Sequence, residues 1–187
     1  MKEKLFILTL MLSVVMVSVG QQKLQYRSLN YVGVLEGEDG SSFQGQTIHG
    51  VYKKGWFAGL GAGLDYYRFR SVPLFASFAR EFGTERFPFY VSADIGTHYV
   101  WEKHERTQWN DFEAEYKPSL YWSAGLGYQL RLRKKENAVL LNVGYSFKKV
   151  TQEREIQTFC INPPCDPAFE TFEYGLRRLS FRMGFQF

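Results

Sequence analysis

The feature that most constrains this chain is a hydrophobic period of two that recurs in five separate stretches after position 21. Trp56, Ala58, Leu60, Ala62 and Leu64 fall on one face, and Phe57, Gly59, Gly61 and Gly63 on the other. A strand sends successive side chains to opposite faces in this way, whereas a helix repeats every 3.6 residues. The same alternation runs through 89–98, 120–131, 139–148 and 178–187, and no stretch offers a comparable helical stripe. Three further strands, about 24–35, 43–53 and 72–82, alternate less cleanly. The first two have no decisive face, and Pro73 belongs at the start of the third, where a missing donor matters least. The expectation is an all-β chain of eight strands.

The connections carry a second signal. In order they are 36–42, 54–55, 67–71, 83–86, 102–117, 132–137 and 150–173. Both long ones are odd-numbered, and the even-numbered ones are short. Antiparallel up-and-down strands put odd and even connections at opposite ends, so one end is loopy and the other trimmed. Transmembrane barrels have that asymmetry, with short periplasmic turns and longer extracellular loops.

The polar face separates a barrel in water from a barrel in lipid. It holds Gly59, Gly61, Gly63, Gly96, Gly125, Gly127, Gly144 and Gly184 among Ser, Asn, Gln and a few charges. A water-facing surface has no reason to be so poor in Lys, Glu and Thr. A crowded interior does, because eight strands enclose only enough room for side chains to fill. The other face is Leu, Val, Ala and Phe, with Trp56, Trp122, Tyr128 and Tyr145, which suits lipid and interfacial girdles. Here composition matters: 17 Phe, 12 Tyr and 4 Trp make up 18% of the chain. That excludes intrinsic disorder, and two cysteines cannot make a disulfide scaffold. The fold expected is an eight-stranded antiparallel up-and-down transmembrane β-barrel.

The only long apolar run, Leu5 to Val17, follows two lysines and precedes Ser18-Val19-Gly20. That is the layout of a secretory signal peptide cleaved after Gly20, leaving a barrel domain over 21–187. No Cys lies near the cleavage site, so lipoprotein processing is not expected. The net charge of +4 falls to +3 on cleavage, which gives no reason to expect nucleic-acid binding.

Polar groups inside such a barrel must pair. By parity Asp65, Glu81 and Asp94 are the inward acids, and Arg131, Lys148, Arg178 and Arg182 the inward bases. They are expected to form an ion-pair network that plugs the lumen.

The segment Gly50 to Tyr67, GVYKKGWFAGLGAGLDYY, followed by Ser71-Val-Pro-Leu-Phe75, resembles the small outer-membrane β-barrel proteins common in the Bacteroidota. It is broadly similar to an OmpA/OmpX-type eight-stranded barrel. Pro88-Phe-Tyr90 with Asp94-Ile-Gly96, and Ser123 to Tyr128, continue the likeness over most of the chain after position 20. Phe181, Met183, Phe185 and the terminal Phe187 look like the C-terminal aromatic signal read by the barrel-assembly machinery. The resemblance implies location and fold, and no activity.

Cys160 and Cys165 lie in the longest loop and are expected to close a small disulfide that stiffens it. Their spacing excludes a redox C-x-x-C, and no His lies near enough in sequence to suggest a metal. Some barrels of this size modify lipid A with a His paired to a Ser or acid. His98 is inward by parity and His104 follows it, with Glu102, Glu105 and Asp111 nearby in sequence, while His49 lies apart. Nothing places an activated Ser beside them, so no catalytic residue, metal or cofactor is assigned. The odd-numbered connections together carry a net −7, against Lys53, Lys54, Arg133, Lys134 and Lys135 at the other end. Such an acidic rim suits divalent cations bridging to lipopolysaccharide phosphates, or a basic partner. The reading is a monomeric outer-membrane barrel, its partners lipid and lipopolysaccharide, with a structural or adhesion-like role through 102–117 and 150–173. A lipid A-modifying enzyme in the outer leaflet, and a small pore or conduit for apolar molecules, are the alternatives.

Overall fold

The computed structural model describes residues 24–84, 87–101, 114–132, 137–156 and 168–187. These form β1 (Gln25–Gly37), β2 (Gly40–Lys53), β3 (Trp56–Asp65), β4 (Ser71–Thr84), β5 (Phe87–Val100), β6 (Ala114–Lys117), β7 (Ser119–Arg131), β8 (Ala138–Ile156) and β9 (Ala168–Gln186). All neighbouring strands are antiparallel. β1 pairs with β9 from Leu29↔Gln186 to Gly37↔Arg178, and β9 pairs with β8, which closes the ring. β6 and β7 are one strand interrupted at Pro118. The ladder to β8 reads Tyr121↔Lys148 on one side and Lys117↔Thr151 on the other, so the β6–β7 strand carries one extra residue there. That is a bulge, where a proline without an N–H is tolerated. The result is a closed, antiparallel eight-strand barrel.

The hairpin turns follow from local chemistry. Lys54 and Gly55 have φ of 51° and 82°, the left-handed pair that a two-residue turn needs to match strand twist. The 36–42 connection is shorter than its sequence suggests, because Gly37 pairs with Gly40 and leaves only Glu38 and Asp39 between the strands. Likewise 150–173 is mostly hairpin: β8 and β9 pair from Val150↔Tyr174 up to Ile156↔Ala168. These extensions escape the period-two reading because most of their outward positions, among them Glu36, Thr151, Glu153, Thr171 and Glu173, are polar, so the ladder continues where the apolar signal stops.

Sidedness is inverted relative to a barrel in water. Leu60 is 73% exposed, Leu126 63%, Ile95 57% and Val143 54%, while Asp94, Arg178 and Lys148 are buried. The interior is filled by rings laid across glycines. Tyr90 faces Gly127 across the β5–β7 ladder, and Tyr31 faces Gly184 across β1–β9. A Cβ at either glycine would overlap the ring. The glycine-rich face is therefore the space into which Tyr31, Phe57, Phe75, Tyr90 and Tyr121 pack. These buried rings are a share of the aromatic excess that faces inward.

Candidate functional site

Three layers of polar side chains cross the barrel interior. In the middle, Asp94 on β5 accepts hydrogen bonds from Ser77 (2.6 Å) and Ser123 (2.7 Å) and pairs with Arg182 on β9 at 3.3 Å. Arg182 also donates to Gln46 (2.7 Å) and Asn142 (2.8 Å), and its guanidinium lies 5.3 Å from the Tyr31 ring centroid. Charge and hydrogen-bonding capacity are matched, which a buried pair needs to offset its desolvation.

The layer nearer the long connections joins Asp65 to both Arg178 and Lys148. Arg178 donates to Ser146 at 2.7 Å. Lys148 is wholly buried, and its ammonium donates to Ser71 (3.0 Å) and to the carbonyls of Tyr67 and Phe69 (3.3 and 3.2 Å). Asp65 accepts the Tyr67 N–H at 2.8 Å. The β3–β4 connection is thus tied into the mouth, with Arg68 in the left-handed region at φ 56°. Above the charges, Leu35, Tyr67, Val150 and Leu176 form an apolar cap, flanked by Phe69, Val100, Tyr116 and Tyr174. Nothing in the sequence marked Tyr67 as a plug residue, since it sits in a turn.

At the short-turn end Glu81 bridges Arg27 (2.5 Å) and Arg131 (3.6 Å) and accepts from Tyr52 at 2.8 Å. Arg27 also stacks on the Tyr52 ring, 3.3 Å from its centroid. Sequence parity had not singled out Arg27, because its strand alternates poorly. The seven charges named from sequence therefore lie in three clusters separated along the barrel. Between the middle and lower clusters is a cavity of about 30 Å³ lined by Leu29, Tyr90, Gln129 and Leu140 among others. That is room for about two waters.

His98 is wholly buried, and its Nε2 lies 2.5 Å from the Lys149 carbonyl oxygen. A carbonyl only accepts, so Nε2 carries the proton. Its Nδ1 has no partner among the described residues. His49 faces outward in a directional chain. Tyr26 O–H donates to its Nδ1 (2.7 Å), and its Nε2 donates to Thr47 (3.1 Å). Thr47 in turn donates to Asn30 (2.8 Å), which donates to Ser28 (3.2 Å). This ladder explains why the first two strands have no decisive face: Asn30, Thr47 and His49 interrupt an outward row that otherwise holds Val32, Val34, Phe43 and Val51, and they satisfy one another. His104 and the Cys160–Cys165 pair lie outside the described residues, as do 1–23. Among the described residues no three side chains are placed to hold a metal.

The acidic rim is partly neutralised by its own strands. Lys149 pairs with Glu173 (2.8 Å), Lys117 with Glu153 (2.5 Å) and Arg68 with Asp39 (3.1 Å). At the opposite terminus, Phe181, Met183, Phe185 and Phe187 all face outward, and Phe187 closes onto Ser28 through two backbone hydrogen bonds of 2.9 and 3.1 Å.

No family model matches the chain, and no curated protein does. Among solved structures it is similar to the N-terminal β-barrel domain of OprF from Pseudomonas aeruginosa. The identity is 12% and the TM-score 0.49, over 88% of this chain and 100% of that one. It is also similar to Neisserial surface protein A, NspA, at 14% identity and a TM-score of 0.45, over 88% and 98% of the two chains. These values are too low to carry function, and the barrel assignment stands on the strand ladders above.

Proposed function

We propose that this chain is an integral outer-membrane barrel with a filled interior. Its role is structural or surface-interactive, carried at the long-connection end by 102–117 and 150–173. The observation that supports this most is the pairing of a closed ladder with an apolar outward belt and a charge-satisfied interior. Such a surface is stable only where lipid replaces water. The charged and polar side chains cross the lumen in three successive clusters among the described residues, which favours a plugged barrel over a conduit. The contact of His98 Nε2 with the Lys149 carbonyl supports reading His98 as a structural histidine.

The test uses the chain without its first 20 residues, refolded into lipid vesicles. The reading expects a faster-migrating unheated band, silence in single-channel recording and an unchanged lipid A mass spectrum in producing cells. Stepwise conductance would overturn the plugged interior, and a new lipid A species would replace the structural role with an enzymatic one. The divalent-cation role of the acidic loops has its own check. Removing divalent ions should weaken surface binding or barrel stability, and no change in either would remove that role.

A further inference from the structure

Lys53, Trp56 and Arg80 lie directly opposite one another across β2, β3 and β4, on the outward face at the short-turn end. Trp56 is largely exposed, and the guanidinium of Arg80 sits 4.8 Å from its ring centroid. Arg80 Nη1 donates to the Lys54 carbonyl at 2.7 Å, and the neighbouring Glu81 N–H donates to the Gly55 carbonyl at 2.8 Å. Turn, indole and guanidinium therefore hold one another in place. An arginine carries a fork of N–H donors and never loses its charge. On Arg80 the donors not spent on Lys54 have no acceptor among the described residues. Glu81 does not neutralise it, since that carboxylate points inward and is taken by Arg27, Arg131 and Tyr52. Lys54 stands beside Arg80, exposed and held by the turn at a φ of 51°. Two positions further into the belt, the same three strands set Val51, Ala58 and Phe78 side by side, all outward and exposed.

We propose that Arg80 and Lys54 bind the phosphate of an anionic phospholipid in the leaflet at the short-turn end, with its acyl chains along Val51, Ala58 and Phe78. The inference rests on the outer-membrane reading. A fixed guanidinium with unspent donors fits phosphate oxygens. A second cation beside it favours a headgroup of net negative charge over a zwitterionic one, which brings its own ammonium to the site. The apolar row directly behind the cations selects a phosphate that carries hydrocarbon, where a free anion would leave that row unused.

Native mass spectrometry of the detergent-purified barrel, after exposure to phosphatidylglycerol or phosphatidylethanolamine vesicles, tests it. Phosphatidylglycerol should survive detergent exchange on the wild-type barrel in clear preference to phosphatidylethanolamine. Arg80→Gln should cut phosphatidylglycerol retention about fivefold. Lys54→Asn should do the same, and because Asn suits the left-handed region it keeps the turn should the first variant misfold. Arg177→Gln removes an exposed, outward arginine at the opposite end and should leave retention unchanged. Equal retention of the two lipids by wild type overturns the proposal, as does wild-type retention in both Arg80→Gln and Lys54→Asn. A loss in Arg177→Gln as large as that in Arg80→Gln would overturn it too, by showing attraction to net charge in place of a site. Heat-dependent gel migration is read on every sample: its loss in wild type would instead overturn the membrane reading.

Discussion

Arg182 is the residue on which the middle of the barrel depends most. Its side chain and that of Asp94 are 3% and 1% exposed, so removing either partner leaves the other charge buried without its counter-ion. Arg182→Ala is expected to lower stability by about 3–5 kcal/mol, read from denaturant midpoints of the gel shift. A double change, Arg182→Met with Asp94→Leu, should recover most of that loss; a double variant as unstable as the single one would show that the charges serve something besides mutual satisfaction. The glycines act at the same scale. At Gly127 a methyl group would meet the Tyr90 ring, so Gly127→Ala should cost about 1–3 kcal/mol in the same assay. Combined with Tyr90→Ala the cost should be clearly less than additive, since the clash is with that ring. Additivity would place the strain elsewhere.

The connection between β3 and β4 shows what one element contributes beyond its length. It is short, yet it seals the mouth, because Lys148 holds two of its carbonyls and Asp65 one of its amides. Lys148→Met keeps the length and apolar stem but removes every donor. Trypsin cleavage after Arg68 or Arg70 should then accelerate about tenfold or more, while the barrel still shows its heat-dependent migration. Unchanged cleavage would mean that the apolar cap alone holds the connection down. The same element shows where sequence legibility ends. Strand parity placed Asp65, Asp94, Lys148, Arg178 and Arg182 inside, because a period of two needs only local information. It could not show that Arg178 reaches Asp65 across 113 positions, or that Tyr67 turns inward, because both depend on register around the closed ring. β1 and β2 were hard to read for a different reason. Asn30, Thr47 and His49 put hydrogen-bonded polar groups on the face that elsewhere is apolar, so the contrast on which parity relies is missing.

At the scale of the molecule, the barrel turns an apolar belt outward and holds paired charges within. The aromatic excess divides accordingly, with Phe78, Phe89, Phe181 and Phe187 on the outward surface and Tyr31, Phe75, Tyr90 and Tyr121 packed inside. The most direct test attaches a nitroxide to single cysteines at Leu60, Ile95, Leu126 and Val143 in a Cys160→Ser/Cys165→Ser background. Collision with dissolved oxygen and with a water-soluble nickel reagent is then measured in vesicles. All four positions should collide readily with oxygen and poorly with nickel, because lipid dissolves the first and excludes the second. Nickel access at these sites equal to that at an exposed turn position such as Lys54 would put water against the apolar belt and contradict the account.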